Sequence, residues 1–98
     1  MRTMLDVSIP VEAGNVALKE GRLQKTILAT VDQLRPEASY FYPENGQRHA
    51  FFGAELKESS QIPGVVERLF EELNAAVTIT PVMNYEDLKK GLGQIGVK

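Results

Sequence analysis

From Met4 to Ile9 apolar and polar residues alternate, with Leu5, Val7 and Ile9 on one side and Met4, Asp6 and Ser8 on the other. A period of two predicts a β-strand with one face in a core. Pro10 ends it, because proline has no N–H to give the ladder. Beyond it the period lengthens. Gly14 and Gly21 each cost about 1 kcal/mol against alanine in a helix interior, which predicts a short, irregular piece over Glu12–Glu20. A firmer helix is expected over Arg22–Leu34, where Leu23, Ile27, Val31 and Leu34 recur at spacings of four, four and three. Pro36 biases Arg35 away from the α region and stops that helix.

Ala38–Tyr42 and Gln47–Leu56 read as two strands around Pro43-Glu44-Asn45-Gly46. Asn-Gly is a strong hairpin signal because both residues tolerate positive φ. A two-residue Asn45-Gly46 turn and a three-residue Glu44-Asn45-Gly46 turn with a bulge both fit. They differ by one in register, and so in the face that Tyr40 and Tyr42 occupy. A second long helix begins at a Ser59 or Ser60 cap with Pro63 in its first turn. Its apolar stripe is Ile62, Val65, Val66, Leu69, Phe70 and Leu73, and Asn74 ends it. The fourth strand is Ala75–Val82. Asn84 then caps a short helix to about Leu92, with Asp87 three residues on as a variant of the capping box.

The order β-α-β-β-α-β, followed by a short α, predicts an α+β ferredoxin-like domain spanning residues 1–98. Right-handed crossovers give an antiparallel sheet in strand order 4-1-3-2 with both long helices on one face. Leu5, Val7, Ile9, Ala50, Phe52, Ala54, Leu56, Val77 and Ile79 then face the core. The other side carries Met4, Asp6, Ser8, His49, Phe51, Gly53, Glu55, Thr78 and Thr80, joined by Phe41 or by the pair Tyr40 and Tyr42. That face is too apolar for an ordinary wet surface and too polar for a second core. It predicts a homodimer packed sheet to sheet through Phe51 with Phe41 or Tyr40, able to enclose a small organic ligand.

Charge and composition narrow the classes. The formal charge of −2 argues against nucleic acid and anionic membrane surfaces, both of which reward a basic face. Cysteine is absent, which removes disulfides, thiolate metal sites and thiol catalysis. The first ten residues carry Arg2 and Asp6 and have no long apolar stretch, so neither a leader nor a membrane span is expected there. A cytoplasmic protein fits this pattern. A chain of 98 residues buries only about 60–65% of its unfolded surface, so a partner over one face would stabilise it.

The topology brings the exit of the first strand, the hairpin and the start of the fourth strand to one end of the sheet. Ser8, Asn15, Tyr42, Arg48 and His49 gather there, beside Glu12-Ala13-Gly14-Asn15, and form the candidate ligand site. Arg48 and His49 are its donors for an anionic or carbonyl-bearing compound. Equally, Arg48 can pair with Glu44 or Glu12 in a solvated ion pair. His49, the single histidine, is the residue type a general base most often uses, although strand register places it nearer Ser8 than Asp6. One histidine and no cysteine leave no metal-ligand spacing, and no cofactor is expected. There is no phosphate-binding loop. RNA-recognition motifs share the element order, but Asp6 stands where the first strand needs a stacking aromatic.

Element order, half-apolar free face and length together resemble the dimeric α/β-barrel group, in which two ferredoxin-like sheets pack face to face. The opening Met-Leu-Asp-Val-Ser-Ile-Pro-Val-Glu-Ala-Gly-Asn, residues 4–15, also resembles short bacterial proteins of unknown function. The resemblance implies a homodimer and spans nearly the whole chain. It admits either a binding or accessory protein or a small cofactor-independent enzyme, monooxygenase- or isomerase-like. Haem-degrading members use an axial histidine and usually a nearby asparagine. Asn15 and His49 do not match that spacing, so haem is not carried over.

Overall fold

The computed structural model describes residues 1–96. Its elements are β1 (Arg2–Ile9), α1 (Val11–Lys19), α2 (Arg22–Leu34), β2 (Ala38–Glu44), β3 (Gln47–Glu55), a 3-10 turn (Ser59–Gln61), α3 (Ile62–Leu73), β4 (Ala76–Pro81) and α4 (Tyr85–Gln94). The four strands form one antiparallel sheet in the order β2-β3-β1-β4. This is the ferredoxin-like α+β layout expected from the order of the elements.

The core lies between one face of the sheet and the helices. Leu5, Val7, Phe52 and Ala54 are fully enclosed by Leu69 and Leu73 of α3 and Ala17 of α1, with Leu23, Ile27 and Val31 of α2 packed at the margin. Alternation in β1 is strict: every second side chain from Thr3 to Ile9 is buried. The outcome on α3 is mixed. Leu69 is buried, but Phe70 is 42% exposed. It continues the apolar spacing yet falls on the outer flank of the stripe, one residue beyond the contact line.

The hairpin turn has two residues. Glu44 pairs with Gln47, and Asn45 and Gly46 sit at φ 53° and 73°, the paired left-handed conformations of a type I′ turn. That register pairs Tyr42 with His49 and Tyr40 with Phe51. Tyr40 and Tyr42 therefore lie on the face opposite the helices, while Phe41 turns toward the helix side and meets Phe52 edge-on, ring centres 5.8 Å apart. Pro43 and Pro81 both stand in the outer strands β2 and β4.

The segment Glu12–Glu20 is not irregular. Val11–Lys19 forms a regular helix with Glu20 as its C-cap, and Gly14 is one of its buried positions. The break falls at Gly21 (φ 79°), in the left-handed region. α4 carries a full capping box: Asn84 Oδ1 accepts from the Asp87 N–H at 2.8 Å, and the Asn84 N–H donates to Asp87 Oδ2 at 3.0 Å. None of its residues is buried. Arg2 Nε ties its first turn to β1 by donating to Asp87 Oδ2 at 3.3 Å.

Candidate functional site

Strand register lays the face away from the helices out as a grid. One row runs Tyr42, His49, Ser8 and Ala76; the next runs Tyr40, Phe51, Asp6 and Thr78. Same-face neighbours across strands stand close enough to interact. The His49 ring stacks on Tyr42 at 5.6 Å and 24°, and Tyr40 packs tilted on Phe51 at 6.2 Å. His49 keeps only 11% of its side chain exposed.

The imidazole's Nδ1 is buried and makes no hydrogen bond. Asp6 Oδ1 lies 3.6 Å away and Glu44 Oε1 3.7 Å away, each on a diagonal neighbour. A buried polar atom without a partner costs about 1–3 kcal/mol, so this ring is poised to accept one. Register makes Ser8 the direct neighbour of His49, but the Ser8 hydroxyl donates instead to Gln47 Oε1 at 2.8 Å. No serine–histidine pair is assembled. Tyr42 titrates above its ordinary range because burial and the nearby carboxylates of Asp6 and Glu44 disfavour the phenolate. It therefore stays a neutral O–H donor.

The opposite face of the same hairpin holds a different environment. Between α2 and the β2–β3 pair lies a cavity of about 350 Å³, walled by Ile9, Leu23, Ile27, Phe41 and Ala50, with Arg48 among its lining residues. Tyr42 and His49 also line it. Their side chains point to the other side of the sheet, so strand alternation leaves them only their main chain there. The Arg48 guanidinium reaches the first turns of α1, where Nη2 donates to Asn15 Oδ1 at 3.1 Å.

The five residues expected to converge thus fall into two groups at one end of the sheet. Ser8, Tyr42 and His49 share the free face; Asn15 and Arg48 meet on the helix side. Arg48 bonds Asn15, and neither Glu44 nor Glu12 pairs with it. Asp6, Glu44 and Gln47 complete the first group. The separation is implicit in the sequence, because adjacent residues of one strand point to opposite faces. The cavity walls from α2 and Phe41 carry no such local signal. Among the described residues no group of three or more His, Cys, Asp or Glu side chains gathers as a metal site requires. Among them too, no helix is long and apolar enough to cross a membrane.

No protein-family model and no curated protein matches this sequence. Among solved structures, a formyltetrahydrofolate deformylase from Pseudomonas putida KT2440 is similar in fold, with a TM-score of 0.55 and 14% identity. The match covers 84% of this chain and 29% of that one, so the chain spans under a third of that structure's length. The likeness carries the ferredoxin-like layout and nothing of the deformylase's chemistry.

Proposed function

We propose that this chain is a homodimeric binding domain rather than a catalyst. In this reading a second copy covers the free sheet face and closes a small ligand site around His49. The observation that carries it is the shelf of Tyr42, His49, Tyr40 and Phe51, with a buried Nδ1 that makes no hydrogen bond within one copy and has Asp6 and Glu44 at 3.6 and 3.7 Å. Tyr40 is 63% exposed, and an apolar patch of this kind on so small a body marks an interaction surface.

α4 supports the same reading. Tyr85, Leu88 and Leu92 recur at spacings of three and four along a helix of 10 residues, with Ile95 at its C-cap, and all four are exposed. A helix shorter than about 12–15 residues is marginal alone in water. The paired copy's sheet face offers the apolar surface it lacks, and exchange of two such helices about a two-fold axis is self-complementary. Small organic compounds able to hydrogen-bond fit the enclosed site, beside His49 and its flanking carboxylates Asp6 and Glu44.

Sedimentation at micromolar concentration tests the assembly. The wild type is expected as a dimer and Phe51→Glu as a folded monomer, because the substitution sets like charges across the axis. A monomeric wild type, or a dimer unchanged by Phe51→Glu, overturns the reading.

A further inference from the structure

The helix-side cavity has a chemical character of its own. Its walls are aliphatic and aromatic: Ile9 from β1, Leu23 and Ile27 from α2, Phe41 from β2 and Ala50 from β3. Arg48 is the one charged residue whose side chain faces this side of the sheet among the lining residues. The volume of about 350 Å³ lies at the small end of ligand pockets, which run from roughly 300 to 1,000 Å³. That suits a single ring or a short branched chain and excludes a nucleotide.

Two features hold the cation in place without neutralising it. Gly14 lets the guanidinium lie against α1, since a Cβ there would stand 2.6 Å from Arg48 Nη1. Asn15 Oδ1 then accepts from Nη2, which uses one of five guanidinium N–H groups. Among the described residues no carboxylate comes within 4.0 Å of Arg48. Glu12, in the first turn of α1, makes no such pair. The usual fate of a surface arginine is an acidic neighbour, and this one is oriented by a neutral amide instead.

We infer that this cavity is a binding site for a small monocarboxylate with an apolar body, the carboxylate taken at the rim by Arg48, whose guanidinium lies against α1, and the ring or branched chain by Phe41, Leu23 and Ile27. A planar carboxylate matches the arginine fork in bidentate geometry, and an apolar pocket with one placed cation is the pattern of small-acid recognition. The site is complete within one copy, so it stands whether or not two sheets pair.

The test is a nuclear magnetic resonance titration with 3-phenylpropanoate and with its neutral amide, read on the methyl groups of Ile9, Leu23 and Ile27. The acid is expected to bind saturably and the amide about tenfold or more weakly, the factor expected for a lost charge-assisted contact. Arg48→Met keeps the aliphatic stem and should abolish the preference for acid over amide. Phe41→Ala, at a position exposed enough to leave the fold intact, should weaken both compounds. The inference is overturned if acid and amide bind alike, if Arg48→Met leaves the preference unchanged, or if neither compound binds saturably. It is also overturned if the shifts fall on Met4 and Thr78 of the free face. Oligomeric state is read separately, so failure here and failure of the dimer are distinct results.

Discussion

Arg48 and Gly14 are fitted to each other: the guanidinium occupies the space a side chain at residue 14 would take, with Nη1 2.6 Å from the position of that Cβ. A glycine that weakens α1 locally is kept in a regular helix because its missing side chain admits a cation from β3. Gly14→Ala should therefore separate stability from binding. Alanine gains up to about 1 kcal/mol in helix propensity, offset by contact with Ile9 Cγ2 at 3.2 Å. Urea denaturation is expected to show a net change within about 1 kcal/mol, while the carboxylate titration shows a clear loss as Arg48 is pushed off Asn15. Unaltered acid binding would mean the guanidinium does not need this berth.

The core makes a second, contrasting pair of predictions. Leu69 is fully buried and its neighbour Phe70 is largely outside. Leu69→Ala should cost about 2–5 kcal/mol through lost burial and a residual cavity. Phe70→Ala should cost under about 1 kcal/mol, as expected of an exposed position. Chemical denaturation of both variants reads the difference, and equal losses would contradict the assigned face of α3.

The hairpin turn requires positive φ at both central residues, Asn45 at 53° and Gly46 at 73°. Gly46→Ala forces a Cβ into the left-handed region at about 1–2 kcal/mol. Asn45→Gly should be nearly neutral. Thermal melts of the two variants should move apart accordingly, with only Gly46→Ala falling.

Asp87 gives α4 a pH dependence. Hydrogen bonding from the Asn84 backbone, and then from the Arg2 side chain, holds its carboxyl below its usual 3.8. A depressed carboxylate contributes stability that is fully present above its unfolded pKa and is lost as pH falls through the folded value. The first turn of α4 should thus be intact at neutral pH and fray in acid below about pH 4. Amide exchange at Leu88, whose N–H bonds the Asn84 carbonyl at 3.0 Å, reads this directly. Asp87→Asn should exchange faster already at pH 7.

Strand parity made most of the sheet legible from sequence. Leu5, Val7, Ala50 and Phe52 sit where alternation places them, and the Asn-Gly turn lies where its chemistry demands. What stayed open was a question of one residue. Two turn lengths fitted the same four letters, and only the Glu44–Gln47 pairing decided the face of Tyr40 and Tyr42. Gly14 looked like a helix breaker because its partner, Arg48, lies far along the chain. Arg48 and His49 stand at one end of the sheet but on opposite faces. Their adjacency in β3 already contained that fact. The cavity depends on α2, β2 and β3 meeting in space, and no short pattern encodes a void.

The two outer strands each hold a proline, Pro43 in β2 and Pro81 in β4. Pro43 lies opposite Arg48, one step from the Glu44–Gln47 closing pair, and Pro81 lies opposite Thr3, beside the bond from Val82 N–H to the Arg2 carbonyl. Antiparallel alternation puts the nitrogen of each on the open side, where the ladder loses nothing. An incoming strand, however, finds no donor there. Each margin of the sheet thus lacks one donor for lateral pairing, which disfavours ribbon-like polymerisation. Exchanging both prolines for valine or threonine should turn clear stocks turbid on storage while leaving each folded molecule almost unchanged.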